Sequence, residues 1–86
     1  MELNEECIFY SIKPKRKNLT YFESLSIMLS ENKKNAAKSA LSAFKPSRYY
    51  ILEETVGYRL NNGIVRVKNT QFINTLSKKE LEKLAK

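Results

Sequence analysis

Lys33–Lys45 reads KKNAAKSALSAFK, and turned at about 100° per residue it separates into two faces. Ala36, Ala37, Ala40, Leu41 and Phe44 share one arc; Lys34, Asn35, Lys38, Ser39, Ser42 and Lys45 share the other. The second arc holds lysines and short hydrogen-bonding side chains and no acid. A solvated helical face usually alternates Glu with Lys, because opposite charges at i,i+4 support the helix. An acid-free face points to an anionic partner.

The flanks set the limits of this helix. Lys45-Pro46 ends it, since the residue before proline is pushed out of the α region. Ser30 or Asn32 supplies the N-cap. Upstream, Thr20 and Glu23 have capping-box spacing, so a first helix is expected over about Tyr21–Leu29, with Phe22, Leu25, Met28 and Leu29 as its apolar stripe and Tyr21 extending it. One bent helix over 21–44 is the alternative. Two short helices with a tight break suggest a helix-turn-helix whose second member enters the major groove.

Before the helices, Cys7–Ile12 (CIFYSI) reads as a strand with Ile8, Tyr10 and Ile12 on one face and Cys7, Phe9 and Ser11 on the other. Cys7 is expected to be a small buried hydrophobe. Lys13–Lys17 (KPKRK) is a basic loop, in which Lys15, Arg16 and Lys17 are candidate phosphate contacts.

After the helices, Arg48–Lys68 reads as a strand, an interruption at Gly57, and a hairpin. Asn62-Gly63 is a strong type I′ turn signal. With those two as the loop, Asn61 faces Ile64, Leu60 faces Val65, Arg59 faces Arg66 and Tyr58 faces Val67. Leu60, Val65, Tyr58 and Val67 would then form a buried face, and Arg59 would oppose Arg66 on the outer one. Like charges in register destabilise a ladder, and a phosphate shared by two guanidinium groups reverses the sign; the other reading has both arginines splayed into solvent. Of Tyr49 and Tyr50, one could stack on a base and the other belong to the core. Thr70–Asn74 is a short strand or the lead-in to a last helix. Ser77 and Glu80 repeat the capping box, Leu76 and Leu81 match a hydrophobic staple, and Leu81, Leu84 and Ala85 would hold that helix on the domain. Lys83 and Lys86 suit its C-terminus by the dipole argument.

The chain is 86 residues with 42% hydrophobic composition, which suits one small domain over 1–86. Net charge is +7 and pI about 9.6. Residues 1–12 carry Glu2, Glu5 and Glu6 with no base, whereas residues 33–68 carry eight bases against Glu53 and Glu54, a net +6. A basic balance concentrated in one region is the footprint of a nucleic-acid binder. With a single cysteine and no histidine, no internal disulfide, cysteine zinc site or histidine base is available. No catalytic residues, metal or cofactor are expected, and an enzyme is not. No apolar run approaches the roughly 18 residues that span a bilayer, and the acidic start is unlike a signal peptide. A cytoplasmic, intracellular protein without membrane contact is expected.

The resulting α+β order, β-α-α-β-β-α, resembles a winged helix lacking its first helix. The resemblance rests on element order and on no family motif. It implies a small DNA-binding transcription regulator, with Lys34, Asn35, Lys38 and Ser42 in the groove and Arg59 and Arg66 on phosphates; Lys33, Lys45, Arg48 and Lys68 complete the nucleic-acid-binding set. Double-stranded DNA is favoured over RNA. KKNAAK is similar to the lysine-alanine pattern of double-stranded-RNA-binding domains, but there the helix follows the strands. The alternative partner is an acidic protein surface, the chain acting as a small inhibitor or adaptor of the kind viruses and plasmids carry. A homodimer is compatible with either.

Overall fold

Three capping residues, Thr20, Asn32 and Ser77, decide where the helices begin. Thr20 precedes α1 (Tyr21–Leu25): its hydroxyl accepts from the Glu23 N–H at 3.1 Å, and the Glu23 carboxylate accepts from the Thr20 N–H at 3.2 Å. Ser77 and Glu80 repeat the exchange ahead of α3 (Lys78–Leu84), at 3.1 and 2.9 Å. Asn32 caps α2 (Lys33–Ala43), its side-chain oxygen accepting from the Asn35 N–H at 2.8 Å. Ser30 has another role: its N–H and carbonyl exchange hydrogen bonds with Tyr10 at 2.8 and 2.7 Å. That extended bridge separates α1 from α2 and rules out one helix over 21–44. At the far end, Phe44 is already extended ahead of Lys45-Pro46, which stops α2 at Ala43.

The computed structural model describes residues 5–60 and 65–86. Among these, β1 (Glu6–Pro14), β2 (Tyr49–Arg59) and β3 (Val65–Ser77) form an open antiparallel sheet in the order β1-β2-β3. The architecture is α+β with the expected β-α-α-β-β-α order. Pro14 sits at the end of an edge strand, where a missing N–H breaks no central ladder. No described helix is long and apolar enough to cross a membrane.

Helices α2 and α3 lie against one end of one sheet face. Ala36, Ala37, Ala40 and Phe44 of α2 are buried there with Ile12, Tyr50, Leu52, Leu76 and Leu81. Three alanines along the contact let α2 approach the sheet closely, so these small side chains still exclude water. Leu41, at the border of the apolar arc, is left partly exposed. The buried Tyr50 hydroxyl accepts from the Ser47 N–H at 2.9 Å, so the ring enters the core with its polar end satisfied. Leu76 and Leu81 are both buried, as their staple spacing anticipates, with Leu84 and Ala85 packed beside them. On the opposite sheet face Phe9, Ser11 and Thr55 are buried, Thr55 sharing a 3.1 Å hydrogen bond with Thr70, while Cys7 is half-buried.

Three sequence expectations are corrected. First, α1 stops at Leu25 and buries no residue. The hydroxyls of Ser24 and Ser26 donate back to the carbonyls of Tyr21 and Phe22, the local bonding that competes with helix continuation, and the Ser30–Tyr10 bridge draws the chain out straight. The stripe of Phe22, Leu25, Met28 and Leu29 therefore stands outside the core; Ile27 is the side chain of this segment that packs against it. Second, β2 runs through Gly57, and Thr70–Asn74 is neither a separate short strand nor only the lead-in to α3 but the middle of a continuous β3.

Third, the hairpin register slips. From Glu53↔Phe72 to Val56↔Asn69 the two strands pair in one register. Between Val56 and Gly57 the register then shifts by one, with Lys68 as the extra residue on β3. Gly57 pairs with Val67, Tyr58 with Arg66 and Arg59 with Val65. Arg59 therefore does not face Arg66, and because strand faces alternate, the two arginines lie on opposite sides of the sheet. The slip also splits the expected buried face: Tyr58 stays on the side that α2 covers, Val65 and Val67 turn to the opposite one, and Val67 is exposed while Tyr58, Leu60 and Val65 are only half-buried. The Asn62-Gly63 turn lies outside the described residues.

Candidate nucleic-acid interface

Burying the alanine face of α2 turns Lys33, Lys34, Asn35, Lys38 and Ser42 outward, and all five are exposed. The helix has no acid in its first turn. Lys33 and Lys34 stand there instead, beside the positive end of the helix dipole, where cations weaken a helix. Lys33 is offset by the Tyr10 ring, its ammonium 5.4 Å from the ring centre. Lys34 and Lys38 form no ion pair among the described residues. The Ser42 hydroxyl donates to the Ser39 carbonyl at 3.2 Å and keeps its acceptor capacity outward.

Tertiary contacts bring three separate basic segments to the exit of α2. Lys13 and Pro14 belong to β1 rather than to the expected loop, and past them the Lys15 N–H donates to the Tyr49 carbonyl at 2.8 Å, fixing Lys15–Lys17 beside Arg48 and Tyr49. Arg16 donates to the Lys45 carbonyl at 2.5 Å, and the Lys78 N–H reaches the Arg48 carbonyl at 3.3 Å. Lys15, Lys17, Lys45 and Arg48 are all exposed, Arg48 lying 5.9 Å from the centre of the exposed Tyr49 ring. Lys78 is joined to this group by its bond to the Arg48 carbonyl, and Lys79 follows it in the chain; neither stood among the sequence candidates. Their signal was legible: the Ser77 capping box places both in the first turn of α3, against the dipole, where lysine does nothing for the helix.

Several other candidates have their charge matched within the protein. Arg16 pairs with Glu23, both side chains partly buried. The Thr20 N–H and then Arg16 hold the Glu23 carboxyl below the usual carboxylate range. Arg59 pairs with Glu31 and lies 5.7 Å from the Phe9 ring centre; Glu31 pushes the guanidinium pKa up. Lys68 pairs with Glu6 at 3.3 Å, which raises its pKa. Lys13, which is not among the candidates, pairs with Glu53 at 3.2 Å. Arg66 is exposed on the sheet face that α2 covers, but at the opposite end of the strands from Tyr50. At about 3.3 Å per residue, Tyr50 and Tyr58 are separated by about 26 Å along β2, so Arg66 stands well apart from the cluster around Arg48.

Among the described residues no three His, Cys, Asp or Glu side chains gather as a metal site. What the arrangement can do chemically is bind anions: one exposed helical face with lysines and short polar side chains, flanked at its end by Lys15, Lys17, Lys45, Arg48 and the first turn of α3. Comparison with protein-family models, curated proteins and solved structures gives no match.

Proposed function

We propose that this chain binds double-stranded DNA as a small regulator, with the exposed face of α2 in the major groove and the Lys15–Lys17–Lys45–Arg48 group on flanking phosphates. The observation that carries the reading is the acid-free outer face of α2, presented to solvent by the burial of Ala36, Ala37 and Ala40 on the other side. A helix of 11 residues is about 16 Å long and fits a major groove about 12 Å wide. Asn35 and Ser42 can bond base edges, while the lysines serve phosphate. In a winged-helix-like docking, the β2–β3 hairpin would be the wing and Arg66 its phosphate contact. The function is binding rather than catalysis.

The test is a titration of duplex DNA, single-stranded DNA and duplex RNA at several salt concentrations. If Lys15, Lys17, Lys34, Lys38, Lys45 and Arg48 each neutralise one phosphate, log K against log salt has a slope of about −5 on duplex DNA. The K34A/K38A pair should make that slope shallower by about 2. Duplex affinity unchanged by the double substitution would rule out α2 as the binding surface, and tighter binding to RNA or single strands would rule out the DNA assignment.

A further inference from the structure

We propose that Tyr21–Leu29 is a docking helix for a second macromolecule: it inserts into an apolar groove rimmed by acidic side chains on a partner protein. The stripe is separate from the outer face of α2 and does not depend on the DNA-binding reading, but Lys15, Lys17 and Lys45 beside it are shared with the proposed phosphate contacts, so the two ligands compete for them. Tyr21, Phe22, Leu25 and Met28 are 72%, 77%, 64% and 60% exposed, an unusual outlay of large apolar side chains for an 86-residue protein.

The segment is held in place by groups other than these side chains. Thr20 and Glu23 cap it, Arg16 ties Glu23 to the Lys45 carbonyl, Ile27 packs on the core, and Ser30 pairs with Tyr10. Polar anchors at both ends thus present an apolar stripe outward. Its spacing is helical beyond the helix actually formed. Tyr21, Leu25 and Met28 recur at i, i+4, i+7, and Phe22, Leu25 and Leu29 at i, i+3, i+7, whereas α1 ends at Leu25. These are the intervals at which a groove reads an amphipathic helix. Covering the stripe would repay extension of the helix to Leu29, with Ile27 still turned inward, about 200° from Leu25.

Charge selects the occupant. Glu23, the one acid of the segment, is consumed by Arg16, while Lys15, Lys17 and Lys45 stand exposed beside it. A second copy would bring the same lysines to the contact and repel. A helix lying in a membrane surface shares this spacing but carries Lys or Arg on its own polar face, whereas the polar positions of Tyr21–Leu29 are Glu23, Ser24 and Ser26. A groove with an acidic rim matches both the spacing and the sign.

The experiment places a photo-crosslinking phenylalanine analogue at Phe22 of the full chain in its native cells, with Phe72 on the far sheet face as the control position. One protein crosslinked from 22 and not from 72 is then purified and titrated with the intact chain. The expected result is a Kd weakened at least about tenfold by Leu25→Asp and at least about tenfold by raising salt from about 0.05 to 0.5 M, with a gain of helical circular dichroism in the complex. Leu25 is largely exposed, so L25D should keep the parent Tm, and that is measured alongside. Light scattering and flotation with vesicles of phosphatidylcholine and phosphatidylserine run in parallel. A dimer abolished by L25D, vesicle binding abolished by L25D, absence of a crosslink specific to position 22, or a crosslinked protein whose affinity ignores L25D would each overturn the proposal.

Discussion

Gly57 and Arg66 approach so closely across the β2–β3 ladder that a Cβ at Gly57 would lie 2.9 Å from the Arg66 carbonyl oxygen and 3.0 Å from Val65 Cγ1. That approach is the seat of the bulge that slips the hairpin by one residue and puts Arg59 and Arg66 on opposite faces. Gly57→Ala must push the β3 backbone away, and a loss of about 1–3 kcal/mol is expected by denaturant unfolding. Stability equal to the parent would mean that the strands do not come this close.

Asn32, and not Ser30, carries the cap of α2. Asn32→Ala should cost about 1 kcal/mol, because the Asn35 N–H loses its acceptor. Ser30→Ala should change stability by less than about 0.5 kcal/mol, since its bonds to Tyr10 are made by backbone. Chemical denaturation of the two variants side by side checks the order.

Arg59 is matched by Glu31 and stands on the sheet face opposite α2. Arg59→Ala should therefore leave the salt slope of DNA binding where it is, while K34A/K38A reduces it. A slope that falls equally in both variants would place Arg59 on the DNA.

The carboxyl pKa values of Glu23 and Glu80 are both lowered, principally by the N–H groups of Thr20 and Ser77 that they cap. A group with a depressed folded pKa stabilises the protein above its unfolded pKa, and that contribution disappears as pH falls through the folded value. Thermal stability should decline on acidification below about 4.3, and E23Q/E80Q should flatten that decline. The measurement is Tm against pH for both proteins.

Ala37 is fully buried between α2 and the sheet. Ala37→Leu should cost about 1–3 kcal/mol by overpacking, whereas Ala43→Leu, at an exposed position of the same helix, should be nearly neutral. Paired unfolding curves separate the two.

What could be read directly from the residues was the chemistry that closes over three or four positions. Thr20–Glu23 and Ser77–Glu80 are reciprocal bonds between near neighbours, Lys45-Pro46 is a steric stop, and the alanine arc of α2 follows from helical pitch alone. The basic outer face of α2, and with it Lys34, Lys38, Asn35 and Ser42, was legible for the same reason: once one arc is buried, the other has nowhere else to point. The strand order along the chain followed as well.

Tertiary structure decided what depends on distant segments. A bulge at Lys68 reverses every face beyond it, and the pairing of Val56 with Asn69 but Gly57 with Val67 reveals it. The stripe from Tyr21 to Leu29 has core-like spacing, yet the Ser30–Tyr10 bridge and Ile27 hold the segment with that stripe outward. The convergence of Lys15, Lys45, Arg48 and Lys78 rests on hydrogen bonds between segments about thirty residues apart: the Lys15 N–H to Tyr49, the Arg16 guanidinium to Lys45 and the Lys78 N–H to Arg48. The sequence by itself determined Lys33–Lys45 as a basic amphipathic helix, because amphipathicity is a local property. Which other cations remain free beside it was settled by pairing and burial across the fold.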